Sequence, residues 1–226
     1  MLGLSMGTPE APTIPPALIA DIAGGAYPAM MNILLALETR RQTGRGLKLD
    51  IAMADNAFTF LYWALGQGFA TGRFPGNGTE LVTGGTPRYR LYATRDQRMV
   101  AAAPIEQKFW ENFCTLIGLD ETLRDDTRDQ EATISAIVKI IASQDAAHWR
   151  RVFDGQDCCC TIVATLDEAV ADPHFKARGL FQYGLVNDRG ETMPALPVPI
   201  DGAFRIPPEK PVRAPSLGGD NKDLLA

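Results

Sequence analysis

The sequence is poor in the residue types that usually announce a metal or redox centre. Of its 226 residues only two are histidine and four cysteine. Cys158, Cys159 and Cys160 are consecutive and Cys114 stands alone, so there is neither the Cys-x-x-Cys spacing of a metal site nor a spaced disulfide framework. The cysteines read as small apolar residues of a buried strand. His148 and His174 fall in helical or helix-end segments among mixed polar neighbours, positions that suit structure or surface better than ligation, and no metal is expected. A basic block is also missing. The 22 Lys and Arg against 27 Asp and Glu give a formal charge of −5, spread too thinly to neutralise a run of phosphates, which excludes nucleic acid as a partner. No apolar stretch approaches bilayer-spanning length, and the N-terminus lacks the basic start and apolar run of a signal peptide. A cytoplasmic chain with no membrane partner is expected. Without a G-x-x-x-x-G-K loop nothing points to an NTPase, and no internal repeat is present.

What is there is the composition of an ordinary globular protein, 46% hydrophobic and 22% charged with 21 Gly and 16 Pro, enough for one large domain or two small ones. The opening Met1 to Gly7 reads as apolar chain already under way. It passes through Thr8-Pro9-Glu10-Ala11-Pro12 and Pro15-Pro16, a linker-like stretch, so the fold is expected to begin in mid-course. Asp21-Ile22-Ala23-Gly24-Gly25 then supplies a cap and a close-packing glycine pair. Met30, Ile33, Leu34 and Leu37 recur at helical spacing, with Arg40 and Arg41 suited to the C-terminal dipole and Gly44 to a left-handed stop. From Leu47 to Met53 the apolar period becomes two, which predicts a strand. Helical spacing returns with Phe58, Leu61, Tyr62 and Leu65. This alternation is that of a layered α/β domain.

Glycines and prolines between Gly66 and Gly78 break the pattern. A hairpin is predicted from Arg88 to Thr94 and Met99 to Ala103 around Arg95-Asp96-Gln97, then a helix from Glu106 to Leu116 with a broad apolar face. Further helices are predicted at about 130–142, 145–153 and 166–178, a strand over Cys158 to Val163, and a second hairpin around Asn187-Asp188-Arg189-Gly190, followed by Pro194 to Pro199 and a Pro- and Gly-rich tail.

Asp55 is the leading chemical candidate. A carboxylate at a strand end and helix start receives backbone N–H groups and the positive end of the helix dipole, which keep it ionised and aimed for nucleophilic attack or proton transfer. A plain N-cap accounts for the same residue. Gly84-Gly85 lets backbone approach a ligand, and equally makes a turn. Glu106 follows a short apolar strand and opens a helix, where its carboxylate has a site role or simply complements the dipole.

Several ordered segments resemble one family. Asp21-Ile22-Ala23-Gly24-Gly25, Leu34-Leu35-Ala36-Leu37, Thr43-Gly44-Arg45-Gly46 and Leu49-Asp50-Ile51-Ala52-Met53-Ala54-Asp55 resemble the class III CoA-transferases, or CaiB/BaiF family, which includes α-methylacyl-CoA racemases. So do Gly84-Gly85-Thr86-Pro87-Arg88-Tyr89, Ile105-Glu106-Gln107-Lys108-Phe109-Trp110, Asp172 to Gly179 and Ala214 to Gly218. The resemblance implies an incomplete Rossmann-like large domain over 1–75 with the catalytic aspartate, a smaller α+β domain over 76–190, and a tail over 191–226 returning to the large domain. It implies that the aspartate matching Asp55 attacks an acyl-CoA thioester and passes CoA to a carboxylic acid through mixed-anhydride and aspartyl-CoA intermediates. In the racemase branch the same aspartate works with a histidine on the α-proton of a 2-methylacyl-CoA. Glu106 matches an acidic residue near that site, and Gly84, Gly85, Tyr89 and Ile105 match the acyl end. Coenzyme A is then a substrate, with no separate cofactor, and two subunits interlock. Family members carry a further segment before the point matching Met1, holding most nucleotide contacts and the racemase histidine, which neither His148 nor His174 matches. The implied alternatives are a truncated enzyme, a split one with a separately encoded N-terminal half, or a non-catalytic fragment.

Overall fold

The computed structural model describes residues 7, 8, 10–14, 17–196, 198–205, 212, 213 and 215–224. The apolar opening over Met1 to Met6, and Pro9, Pro15, Pro16, Pro197 and Ala214, lie outside the described residues. Contacts divide the chain into two units between Val163 and Ala164. This cut is made by contacts within the chain alone and coincides with neither 75 nor 190.

Unit 1 opens with a π-helix, Ile19–Ala26, that runs without a break into α1, Tyr27–Thr43. Its stop is as expected: Arg40 and Arg41 occupy the last turn, and Gly44 takes the left-handed position at φ 70°. Met30, Ile33, Leu34 and Leu37 are all exposed, as are Met31 and Leu35. The helix predicted from their spacing forms without burying them; the apolar residues spread round the helix, a pattern that suits enclosure on several sides. The expectation about long apolar stretches is corrected here too. Ile19–Thr43 is 25 residues and, by length and composition, apolar enough to cross a bilayer; Asp21, Pro28 and Asn32 interrupt the stretch and hide it from a search for unbroken runs.

After Gly44 no helix or strand forms as far as Ala52, which is followed by α2 (Met53–Ala57), a 3-10 turn (Phe58–Leu61) and α3 (Tyr62–Thr71). The strand predicted over Leu47 to Met53 does not form. A strand is completed by a neighbour's hydrogen bonds, and among the described residues none pairs with this segment. Leu47, Leu49 and Met53 are consequently exposed.

The rest of unit 1 is an α+β module. β1 (Arg90–Ala93) and β2 (Met99–Ala102) form the predicted antiparallel hairpin, in register Tyr92 with Val100, and β3 (Cys160–Ile162) joins β2 on its other side. Three helices pack with this sheet: α4 (Gln107–Ile117), α5 (Gln130–Ala142) and α6 (Ala146–Phe153). Asp129 and Asp145 begin the last two because each side chain accepts a backbone N–H of the first turn. Burial follows helical spacing, with Trp110, Phe113, Cys114 and Ile117 from α4, Thr133, Ile137 and Ile141 from α5, and Ala146, Trp149 and Phe153 from α6. Both buried tryptophans also satisfy their indole N–H, Trp110 donating to Arg124 O at 2.7 Å and Trp149 to Ile141 O at 2.9 Å. Each large apolar side chain buried in this way contributes on the order of 1.5–3 kcal/mol.

The Cys158-Cys159-Cys160 segment is only partly the buried strand expected. Cys158 is buried and Cys160 lies on β3, but Cys159 is exposed at φ 51°, a turn that precedes the strand. His148 stacks edge-on against Trp149 at 4.9 Å, a packing role. In unit 2 the single helix expected over 166–178 is two, α7 (Leu166–Ala171) and α8 (Pro173–Ala177). Pro173 forces Asp172 into extended backbone, and the Asp172 carboxylate restarts the helix by accepting the His174 N–H at 2.7 Å. His174 is exposed. β4 (Gly184–Val186) and β5 (Thr192–Pro194) make the second predicted hairpin, and β6 (Val212–Arg213) lies parallel on the other side of β4. The helix α9, Asn221–Leu224, follows.

Ile137→Ala removes a fully buried side chain from the centre of the α+β module and is expected to cost about 2–5 kcal/mol, read as a lower urea midpoint at unchanged slope. Burial also pushes the Cys114 thiol up to about 12. At pH 8 a thiol reagent is therefore expected to label Cys159 rapidly and Cys114, Cys158 and Cys160 only on unfolding; rapid labelling of Cys114 would contradict the buried assignment.

Candidate active site

The two glycines after Asp21 fix the geometry of the aspartate region. A Cβ on Gly24 would stand 2.9 Å from the Met53 carbonyl oxygen, and one on Gly25 3.2 Å from the Met53 side chain. Only glycine lets the π-helix sit this close to the start of α2. Asn56 completes the clasp, donating from Nδ2 to Gly24 O at 2.8 Å.

Asp55 is the third residue of α2 and is exposed. The N-cap position belongs to Ala52, and the structure describes no side-chain hydrogen bond to this helix start. The plain cap reading is thus overturned, and so is the expected bracing of the Asp55 carboxylate by backbone N–H groups. Asp21 departs from expectation in the same way. It lies in the first turn of the π-helix, whose N-cap is Leu18, and its side chain is likewise exposed and caps nothing. The clasp therefore brings together two short helical elements, each with an aspartate near its start and neither aspartate used for capping. Asp21 was read from sequence only as a cap. The signal that could have raised it is the adjacent glycine pair, together with the π-turn, a form that recurs at functional sites.

An open cavity of about 650 Å³ lies beside this region. It is lined by Ile19 and Ala23 of the π-helix, by Phe60, Leu61 and Trp63, by the loop from Val82 to Gly84, and by Tyr89 to Leu91 and Ala101 to Ala103. Of the expected site residues it takes in Gly84 and Tyr89. Asp55, Gly85, Ile105 and Glu106 do not line it. Gly84 closes a 3-10 turn (Leu81–Thr83) at φ 94°, and its carbonyl accepts a hydrogen bond from Arg90 Nη1 at 2.6 Å. Gly85 serves packing: a Cβ there would fall 2.2 Å from the Thr79 carbonyl carbon. The loop is a tight turn, and Gly84 alone of the pair forms cavity wall.

Glu106 occupies the N-cap position of α4, in extended backbone, with its side chain exposed and making no cap hydrogen bond. It does open the helix after a short strand, as expected. The backbone carbonyl before it and the side chain after it are held by Arg88, whose guanidinium makes a bidentate pair with the buried Asp126 and donates to Ile105 O at 3.2 Å and Gln107 Oε1 at 3.0 Å. Sequence reasoning gave Arg88 no role. Among the described residues no group of His, Cys, Asp or Glu is arranged to hold a metal ion.

The family model for CoA-transferase family III matches residues 1–221, and the chain belongs to that family. It is 30% identical over 220 residues to the alpha-methylacyl-CoA racemase of Homo sapiens, covering 96% of this chain and 56% of that protein. It is 28% identical over 232 residues to the acetyl-CoA:oxalate CoA-transferase of Acetobacter aceti, covering 96% and 57%. Among solved structures, Rv3272 from M. tuberculosis superposes at a TM-score of 0.73 with 21% identity, covering 100% of this chain and 61% of that one. The mixed helix and sheet architecture is thus that of the CaiB/BaiF fold. The chain spans a little over half the length of the curated relatives it matches.

The clasp gives a direct test. Gly24→Val places branched carbon against the Met53 carbonyl and is expected to separate the π-helix from α2, at a cost of about 1–3 kcal/mol. Faster amide exchange over residues 19–26 and 53–57, with the 90–162 module unchanged, is the signature; exchange identical to wild type would remove the clasp from the account.

Proposed function

We propose that this chain carries the carboxylate-bearing part of an enzyme that moves coenzyme A from an acyl-CoA to a carboxylic acid. The supporting observation is the clasp, which sets two unbonded aspartates on adjoining helix starts beside a cavity lined largely by apolar groups. An aspartate oxygen attacks the thioester carbonyl and expels the CoA thiolate, leaving a mixed anhydride. The thiolate then attacks the aspartyl carbonyl, releasing the first carboxylate and forming an aspartyl-CoA thioester. The acceptor carboxylate repeats the sequence in reverse, and the enzyme's carboxylate is restored with CoA on the acceptor. Each step exchanges one acyl bond for another. Coenzyme A enters as substrate, with no other cofactor, and the acyl end rests against Gly84, Gly85, Tyr89 and Ile105. Glu106 serves as the assisting acid group. Completion of the site by an interlocked second copy or a separately encoded N-terminal half, in the cytoplasm, belongs to the same proposal.

The nucleophile is Asp55 on the family pattern. Asp21 is the second reading, favoured by one observation: its π-helix contributes Ile19 and Ala23 to the cavity wall, whereas α2 contributes nothing. Racemisation of a 2-methylacyl-CoA is the alternative reaction. The apolar cavity supports it, since a hydrocarbon tail suits walls such as Phe60, Leu61 and Trp63 better than a second carboxylate does.

Incubation with acyl-CoA followed by hydroxylamine or borohydride, with peptide mass mapping, separates these readings. Transfer predicts an adduct on one aspartate, lost in Asp55→Asn if that residue is the nucleophile and in Asp21→Asn if the other is. Exchange of the α-proton with solvent and no adduct would reject transfer and leave racemisation. Absence of CoA binding by the chain alone would mean that it does no chemistry unaided.

A further inference from the structure

We propose that Arg88, held by Asp126, is a positioning residue that sets the Glu106 carboxylate. This rests on the reading above that Glu106 assists the reaction. Arg88 Nε donates to Asp126 Oδ2 at 2.9 Å and Nη2 to Oδ1 at 2.7 Å, while Nη1 reaches Ile105 O and Nη2 also reaches Gln107 Oε1. The guanidinium carbon lies 4.8 Å from the centre of the Trp110 ring. One side chain thereby ties the hairpin entry to the residue before Glu106, to the residue after it and to the next turn of the helix that Glu106 opens. Tyr92 braces the same entry, its buried hydroxyl donating to Pro87 O at 2.8 Å.

Stability alone gives a weak reason for this arrangement. The Arg88 and Asp126 side chains are 17% and 8% exposed, and a desolvated ion pair is commonly matched or exceeded in stability by apolar residues of similar volume. What apolar residues cannot supply is direction. A planar guanidinium with its donors committed fixes the Ile105 carbonyl and the Gln107 side chain in orientation. The Glu106 carboxylate has no described partner of its own, so its aim is inherited from these neighbours. A displacement of about 1 Å in a group that must meet a substrate is enough to lower turnover by up to about a hundredfold.

The full chain labelled with carboxyl-13C glutamate provides the test, with the Glu106 signal assigned by its loss in Glu106→Gln. Arg88→Met and Asp126→Asn are expected to shift that signal and to lower acyl transfer or α-proton exchange about tenfold in kcat with little change in KM. Arg88→Lys, which keeps the charge without the fork, should fall between. The double variant Arg88→Met with Asp126→Leu removes both charges together and tests the same loss of aim in a chain expected to remain folded. Ile137→Ala, a lesion in the shared core that removes none of the Arg88 hydrogen bonds, should leave the Glu106 signal in place. An unmoved signal in Arg88→Met, or an equal shift in Ile137→Ala, overturns the positioning role. Wild-type turnover in Glu106→Gln would instead reject the assisting role of Glu106, with the signal still reporting on the clamp.

Discussion

The approach of two backbones at Gly24 and Met53 is the constraint on which the aspartate region depends. α2, five residues long, is too short to be stable alone, since a helix of little more than one turn does not offset its nucleation cost, and the π-helix that opens the long α1 gives it a surface to form against. The two lie against each other with no side chain between Gly24 and the Met53 carbonyl, and Asn56 bonds across the gap. The glycine pair thus acts at two levels. It permits a local packing distance, and through that distance it determines where Asp21 and Asp55 stand relative to the cavity wall.

A different kind of organisation governs the α+β module. There the hairpin, β3 and three amphipathic helices enclose Trp110, Phe113, Ile137 and Trp149, and a non-local ion pair joins the turn before β1 to the turn before α5. Order in this module rests on burial, whereas the π-helix and α1 leave most of their large apolar side chains exposed. Two regions of one contact unit therefore draw on unequal amounts of hydrophobic stabilisation. The cavity lies where they meet, between the π-helix, the Phe60 to Trp63 segment and the open side of the β1–β2 hairpin.

Legibility in the sequence followed the same division. Helix α5 has the expected limits because Asp129 states its start and a regular apolar repeat carries it to Ala142. Both hairpins were readable from turn chemistry and alternation, and the stop at Gly44 from a glycine after two arginines. The failures have non-local or subtle causes. Leu47 to Met53 alternates like a strand, but alternation supplies only half of what a strand needs, and no partner is described. Asp172-Pro173 was passed over as helix although the proline dictates the break. At the candidate site, Gly84, Tyr89 and Glu106 could be nominated from their local motifs. Arg88 could not, because its role depends on Asp126, 38 residues away, and no periodicity links the two.

Exposure of the aspartates bears on what catalysis would require. A solvated carboxylate is a weak nucleophile, and a mixed anhydride in contact with water hydrolyses in preference to reacting with a scarce acceptor. Group transfer therefore needs a surface that excludes water from whichever aspartate reacts. Asp21 and Asp55 both face solvent, and the apolar residues of α1 that follow directly on the π-helix are uncovered as well. One covering surface spanning this stretch would remove water from the carboxylates and bury the exposed side chains of α1 together, so that the hydrophobic gain from the helix would offset the desolvation cost at the aspartates. The uncovered helix and the exposed carboxylates would then be one physical requirement: a single contact would bury α1 and exclude water at the clasp.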